Sequence, residues 1–305
     1  FVFYRGDISS PEKDLIAPGG LTVISSKADN TFELNDPQLP TTGRRLAYAR
    51  YLTSGKHPLV ARVLMNRFWM HHFGQAIVDS TGDFGSRSSV PTHPELLDWL
   101  AADFMEQGWQ LKRIHRLIMT SRTYRQTSAT HSEKAAAIDS DNRLYWRMTM
   151  QRLEAESIRD AILVVSGELN REQFGEPVPV ALADSGIITV GAGKVSKDRR
   201  ELKRSIYVQV RRTQPVTMLN AFDAPSMEPN CERRVFSTVA TQSLALLNSE
   251  FMRNQSEAFA KRVLTTAGKD ADDTKLIKTA WKLALSSEPS PAELQALEKN
   301  FALQL

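Results

Sequence analysis

Apolar residues recur at helical spacing over most of the chain. The pattern predicts helices over residues 43–53, 58–73, 94–107, 110–123, 152–169, 240–264, 272–286 and 291–303. Period-two alternation is confined to short runs. F-V-F-Y at the start, L-T-V-I at 21–24 and I-I-T-V at 187–190 read as strands. The strongest strand signal is S-I-Y-V-Q-V-R-R at 205–212, with Ile206, Val208 and Val210 on one face and Tyr207, Gln209 and Arg211 on the other. The fold class expected is mainly α with a small β component (α+β), a compact multi-helix domain with a few short strands. Along the chain this gives a strand and loop lead-in at 1–40 and a helical lobe at 41–170. A loop-rich segment with short strands follows at 171–239, and C-terminal helices packed on the same domain at 240–305.

Helix ends are marked locally. His57-Pro58 and His93-Pro94 each place proline at a first helical position, where a missing N–H costs nothing. Both histidines are therefore read mainly as helix starts. Gly108 fits a helix stop, and Ser290-Pro291-Ala292-Glu293 spells a capping box.

The helix at 58–73 is apolar on both sides, with Val60, Val63, Leu64 and Phe68 on one and Met65, Trp69 and Phe73 on the other. Such a helix is buried, so its polar groups need partners. Its C-terminal part lies in N-R-F-W-M-H-H-F-G (66–74), where Arg67 and His71 are four apart and share a face. The expectation is that His71 points inward beside Arg67, that His72 is solvated, and that Asp83 in S-T-G-D-F-G supplies the acidic partner. A satisfied core network is preferred there over a catalytic or metal site.

Composition adds less. The chain has 305 residues, 41% hydrophobic and 24% charged, which suits a globular protein with a sizeable core. One cysteine, Cys231, excludes an internal disulfide. The net charge of +4 is mild, but 25 of the 39 basic residues are arginine. Arginine's planar fork suits carboxylate, sulfate or phosphate, and structural pairing with carboxylates is the preferred use here. No apolar run approaches a membrane span. The chain opens at Phe1 without a leader pattern and is expected to be a mature form or a piece of something longer.

The candidate chemistry is dispersed. Catalytic candidates are His71, Asp83, His93 and Glu154. Arg67, Arg122, Arg125, Arg152, Arg233 and Arg234 are the candidates for ligand binding. Glu154 and Glu156 are two apart, so on a helix they do not face each other as an acid–base pair. Arg152, Glu156, Arg159 and Asp160 are spaced to pair along one helix, whose apolar stripe is read as Leu153, Ile158, Ala161, Ile162 and Val165. Cys231 beside two arginines has the setting of a reactive thiol, yet the last histidine is His131, and a bystander thiol is preferred. G-A-G-K at 191–194 lacks the spacing of a phosphate loop. No metal site is expected.

Several segments taken in order carry a family resemblance: R-R-L-A-Y-A-R-Y-L-T-S, R-V-L-M-N-R-F-W-M-H-H-F-G, G-D-F-G, H-P-E-L-L-D-W-L-A, S-R-T-Y-R-Q-T-S, D-N-R-L-Y-W-R-M, R-L-E-A-E-S-I-R-D-A-I-L, K-R-S-I-Y-V-Q-V-R-R and C-E-R-R-V-F-S-T. Together they resemble the C-terminal domain of unknown function found in planctomycete cytochrome-c-associated multidomain proteins. The resemblance implies an exported protein, periplasmic or on the cell surface. It implies partner domains on the same polypeptide: a cytochrome c module and a second domain of unknown function. It carries over no catalytic residue. C-x-x-C-H is absent here, so this chain holds no covalent haem; no cofactor is expected in it, and haem is expected only on a separate N-terminal domain.

The function expected is that of a non-haem C-terminal domain of an exported, redox-linked protein, serving substrate binding or assembly. The alternative is an enzyme acting on extracellular polysaccharide, anionic or sulfated, for which the arginines would be suited. Nucleic-acid binding ranks third, because the excess charge is small and spread along the chain.

Overall fold

The structure is a computed structural model and describes residues 2–14, 16–24, 31–32, 35–191, 196–225 and 231–303. The chain divides into two units, Phe1–Gln151 and Arg152–Leu305. Among the described residues the architecture is mainly helical, with one two-stranded sheet. No helix among them is long and apolar enough to cross a membrane.

The first unit carries α1 (Arg44–Thr53), α2 (Val60–Phe73), α3 (Pro94–Glu106), α4 (Leu111–Thr120) and α5 (Glu133–Ile138). Its N-terminal part forms turns. Tyr4–Gly6 is a 3-10 turn and Phe3 makes an isolated bridge to Pro11. Residues 22–24 form a turn with Leu21 and Val23 exposed, so no strand is present there. Leu21, Thr22 and Val23 are exposed, and a short run without a paired ladder does not persist as a strand. His57 opens α2 as its position suggests: its Nδ1 accepts the Leu59 and Val60 N–H groups at 3.2 and 3.3 Å.

The core of this unit is built on α2. Met65, Trp69 and Phe73 pack with Leu97, Leu100 and Phe104 of α3 and Ile114 and Ile118 of α4. Trp69 stacks on Phe73 at 4.2 Å, and Tyr145 meets Trp69 edge-on at 5.4 Å. Asn66 is fully buried inside this apolar mass. Its amide donates to the Val78 carbonyl at 2.9 Å and accepts the Val78 N–H at 2.8 Å. One side chain thus satisfies both backbone groups of a residue buried outside any helix or strand.

The second unit begins with α6 (Ala155–Ser166). A hairpin of β1 (Val180–Leu182) and β2 (Ile188–Val190) follows, pairing Val180 with Val190 and Leu182 with Ile188. Then come α7 (Thr217–Ala221), α8 (Ala240–Asn248), α9 (Glu250–Ala267), α10 (Asp273–Leu285) and α11 (Pro291–Ala302). α9 packs against α6, α8 and α10. Ser290 and Glu293 form the capping box of α11.

Two expectations fail in this unit. Residues 205–212 are not a strand: Ser205–Tyr207 is a 3-10 turn, and Val208 makes a single parallel bridge to Val178. Of the alternating residues, Val208 is buried while Ile206 and Val210 stay exposed. Asp160 accepts both the N–H and the hydroxyl of Ser205 at 2.7 Å, which curls the chain before a ladder can form. The helix expected over 240–264 is two helices, α8 and α9. Ser249 sits between them in extended backbone and caps α9 by accepting the Met252 N–H. G-A-G-K falls largely outside the described residues.

Asn66→Leu leaves the Val78 N–H and C=O without partners in a dry core. We expect a loss of about 3 kcal/mol in denaturant unfolding, since each unmet buried group costs roughly 1–3 kcal/mol. A loss below about 1 kcal/mol would mean that the Asn66–Val78 pair does not organise this core.

Candidate functional site

In the first unit the two histidines of α2 are placed opposite to expectation. His71 is the one exposed residue of α2, and His72 is half-buried. The core direction is set by Met65, Trp69 and Phe73 together with Asn66 and Met70, which turns residue 71 outward. The His72 ring instead reaches α4, where its Nε2 lies 2.9 Å from Nδ1 of His115. Phe68 packs on His115 at 4.9 Å and Tyr124 meets His72 edge-on at 5.6 Å. Burial, then the neighbouring His115 and His71, hold His72 below the usual imidazole value, so its ring is neutral at pH 7. Behind the pair, Gly74 closes α2 with φ of +76° and leaves room for Gln151, whose amide donates to the His72 carbonyl at 3.1 Å.

Asp83 is not the partner of Arg67 or His71. It is exposed and accepts the Gly85 N–H at 2.8 Å in a local turn. Arg67 Nε is buried without a hydrogen-bond partner. His93 starts α3 without capping it. Its Nδ1 lies 2.9 Å from the Thr92 hydroxyl, and its ring sits 5.6 Å from Tyr145. Arg122 and Arg125 are exposed in the turns after α4. His71, Asp83 and His93 are therefore not joined by any hydrogen bond or ion pair among the described residues of this unit.

In the second unit most of the named arginines brace the chain. Arg152 donates to the Ser237 carbonyl and, at 2.8 Å, to Gln242 Oε1, with Phe222 beneath its guanidinium. Arg234 grips Glu156 with two bonds of 2.6 and 3.2 Å and lies 3.2 Å from Glu154. The two glutamates do converge, but on one guanidinium. Glu154 precedes α6 in extended backbone, so helical spacing does not apply to it. Arg233 and Cys231 are exposed, and the thiol lies 3.4 Å from the Arg233 carbonyl.

Arg159 is one of the residues whose spacing predicts pairing along the helix with Arg152, Glu156 and Asp160. It is buried on α6 in line with Ala155, Leu163 and Ser166, whereas Leu153 is exposed. Its fork donates to the carbonyls of Glu201 (2.6 Å) and Lys203 (3.0 Å) and to the Ser205 hydroxyl (3.2 Å). Asp160 is 3.6 Å away. Burial lowers its pKa to about 10, partly offset by Asp160, so it stays charged at neutral pH. The available signal was an arginine inside an apolar stripe, with Ile158, Ala161 and Ile162 around it.

Arg159 also borders a cavity of about 190 Å³. Ile188 and Val190 of β2, Val216, Met218 of α7, Ala245 of α8 and Phe251 of α9 give it apolar walls. Gln255 lines it too and is buried, held by the Ser166 hydroxyl at 2.7 Å. A second cleft of about 370 Å³ is more polar and takes in Glu156, Arg211 and Arg212. Among the described residues no cluster of three imidazole, thiolate or carboxylate groups could hold a metal ion.

Glu156 yields a pH test. Burial alone would raise its pKa, but the bonds and charge of Arg234 outweigh that and hold it below the ordinary value of 4.5. A depressed carboxylate contributes stability that is complete above its unfolded pKa and lost as pH falls through the folded value. Stability should therefore fall as pH drops below 4.5, and Arg234→Gln should flatten that fall while leaving the alkaline side unchanged. Parallel curves for both proteins in urea unfolding would contradict the pairing.

A family model described as a protein of unknown function (DUF1553) matches residues 44–301. Neither a curated protein nor a solved structure matches the chain.

Proposed function

The chain belongs to this family of unknown function, PSD1, and on that premise we propose that it is a non-haem binding domain of an exported, redox-linked multidomain protein. The binding site is the apolar cavity between β2, α7, α8 and α9, and the observation that carries the reading is that cavity. It is preformed, about 190 Å³ in volume, and walled by aliphatic and aromatic side chains from four elements. Small-molecule sites have this character, a mostly apolar concavity with few polar groups. In the second unit Arg152 and Arg234, two of the arginines that would suit an anionic polymer, are engaged within the chain, as is Arg159: together they hold backbone carbonyls, a glutamine and two glutamates. Export and the partnership with a cytochrome c module rest on the family resemblance alone.

A second reading, an enzyme acting on anionic polysaccharide, draws support from the polar cleft with Arg211 and Arg212 at its wall. Glu156 is its one carboxylate among the described residues, and Arg234 already holds it. Hydrolysis of a glycosidic bond ordinarily takes two carboxyl groups.

One panel separates the readings. Thermal unfolding of the chain with small apolar compounds, neutral glycans and sulfated glycans should show saturable stabilisation by apolar compounds alone. At a hundred times the dissociation constant the gain is about 2.7 kcal/mol. Ala221→Phe, which fills the cavity, should abolish it. Stabilisation by sulfated glycans that survives Ala221→Phe would favour the enzyme and reject the cavity.

A further inference from the structure

We propose that His72 and His115 form a two-histidine transition-metal site on the first unit, one that favours metals with right-angle coordination. The inference is independent of the cavity in the second unit. Its basis is the 2.9 Å separation of His72 Nε2 and His115 Nδ1. An imidazole nitrogen binds a metal at about 2.0–2.1 Å. Two such nitrogens at right angles on one metal are about 2.9 Å apart, whereas at the tetrahedral angle they are about 3.3–3.4 Å apart. The spacing therefore matches neighbouring positions of square-planar or octahedral Cu(II) and Ni(II), and is too short for tetrahedral Zn(II).

The surroundings suit a cation. Each ring is carried by a helix, and α2 and α4 pack against each other, so the two nitrogens are held without a loop. His72 lies in the last turn of α2, at the negative end of the helix dipole. One of the two facing nitrogens carries the hydrogen of this contact, so metal binding moves that proton to the other nitrogen of the same ring, and both facing nitrogens then offer lone pairs. Phe68 and Tyr124 fix the ring orientations. Both histidines are only half-buried, so water reaches the remaining coordination positions. No third imidazole, thiolate or carboxylate joins them among the described residues, which makes this a two-point site completed by solvent.

The test uses the whole chain with Cu(II), Ni(II) and Zn(II) salts, each metal alone, with affinities measured by chelator competition. We expect one Cu(II) per chain with an electron paramagnetic resonance spectrum showing two coordinated nitrogens. Ni(II) should bind more tightly than Zn(II). His72→Gln and His115→Gln, each tested singly, should weaken binding roughly tenfold or more by removing the intramolecular second ligand. His71→Gln should leave binding unchanged. The nitrogen count on the unaltered protein stands even where a variant folds poorly. Absence of saturable binding, a spectrum with one nitrogen or none, Zn(II) binding at least as tightly as Ni(II), or loss of binding in His71→Gln would overturn the proposal and leave the pair as an imidazole–imidazole hydrogen bond.

Discussion

The second unit depends on how one buried cation is kept satisfied. Arg159 is 2% exposed, and its nearest carboxylate, Asp160, stands 3.6 Å away. Beside that charge, its fork is met by the carbonyl dipoles of Glu201 and Lys203 and the hydroxyl of Ser205. An uncompensated charge in such a place would be prohibitive, so the segment from Glu201 to Ser205 has no freedom to lie elsewhere. This is why a sequence that alternates like a strand folds as 3-10 turns. It also positions a wall of the cavity, because Glu201 and Leu202 line it together with Arg159.

The first unit solves the same problem with a neutral group. Asn66 enters the core on α2 and pairs with both backbone groups of Val78. The apolar residues around it, Met65, Trp69 and Phe73, supply the burial energy, and the amide decides where the following loop docks. In both units a polar side chain inside an apolar setting fixes irregular backbone that hydrophobic pattern alone cannot place.

Helices were legible because period and stop signals are local. Pro94 and the Ser290–Glu293 box mark starts that the structure keeps, whereas α2 begins at Val60, two residues beyond Pro58. What the sequence concealed was long-range. The failure at 205–212 came from Asp160 and Arg159, some forty-five residues away in the chain. The orientation of α2 was misjudged because an all-round apolar helix gives no single inward direction, and His72 finds His115 only once α4 has packed. Helical spacing keeps Glu154 and Glu156 apart, but Glu154 lies just outside α6 in extended backbone and escapes it. The cavity draws its walls from β2, α7, α8 and α9, and no single stretch of sequence announces it.

A family of unknown function thus presents two units whose best-placed arginines serve mostly to hold the chain. The direct test is the stability of Arg159→Lys, with and without sulfate or phosphate. Lysine keeps the charge but loses the planar fork that reaches two carbonyls and a hydroxyl at once. The account predicts a protein destabilised by about 3 kcal/mol, with the same small anion effect as the unaltered chain. A variant of full stability that has lost an anion-dependent gain shown by the unaltered chain would contradict it, and would make Arg159 a ligand-binding group instead of a brace.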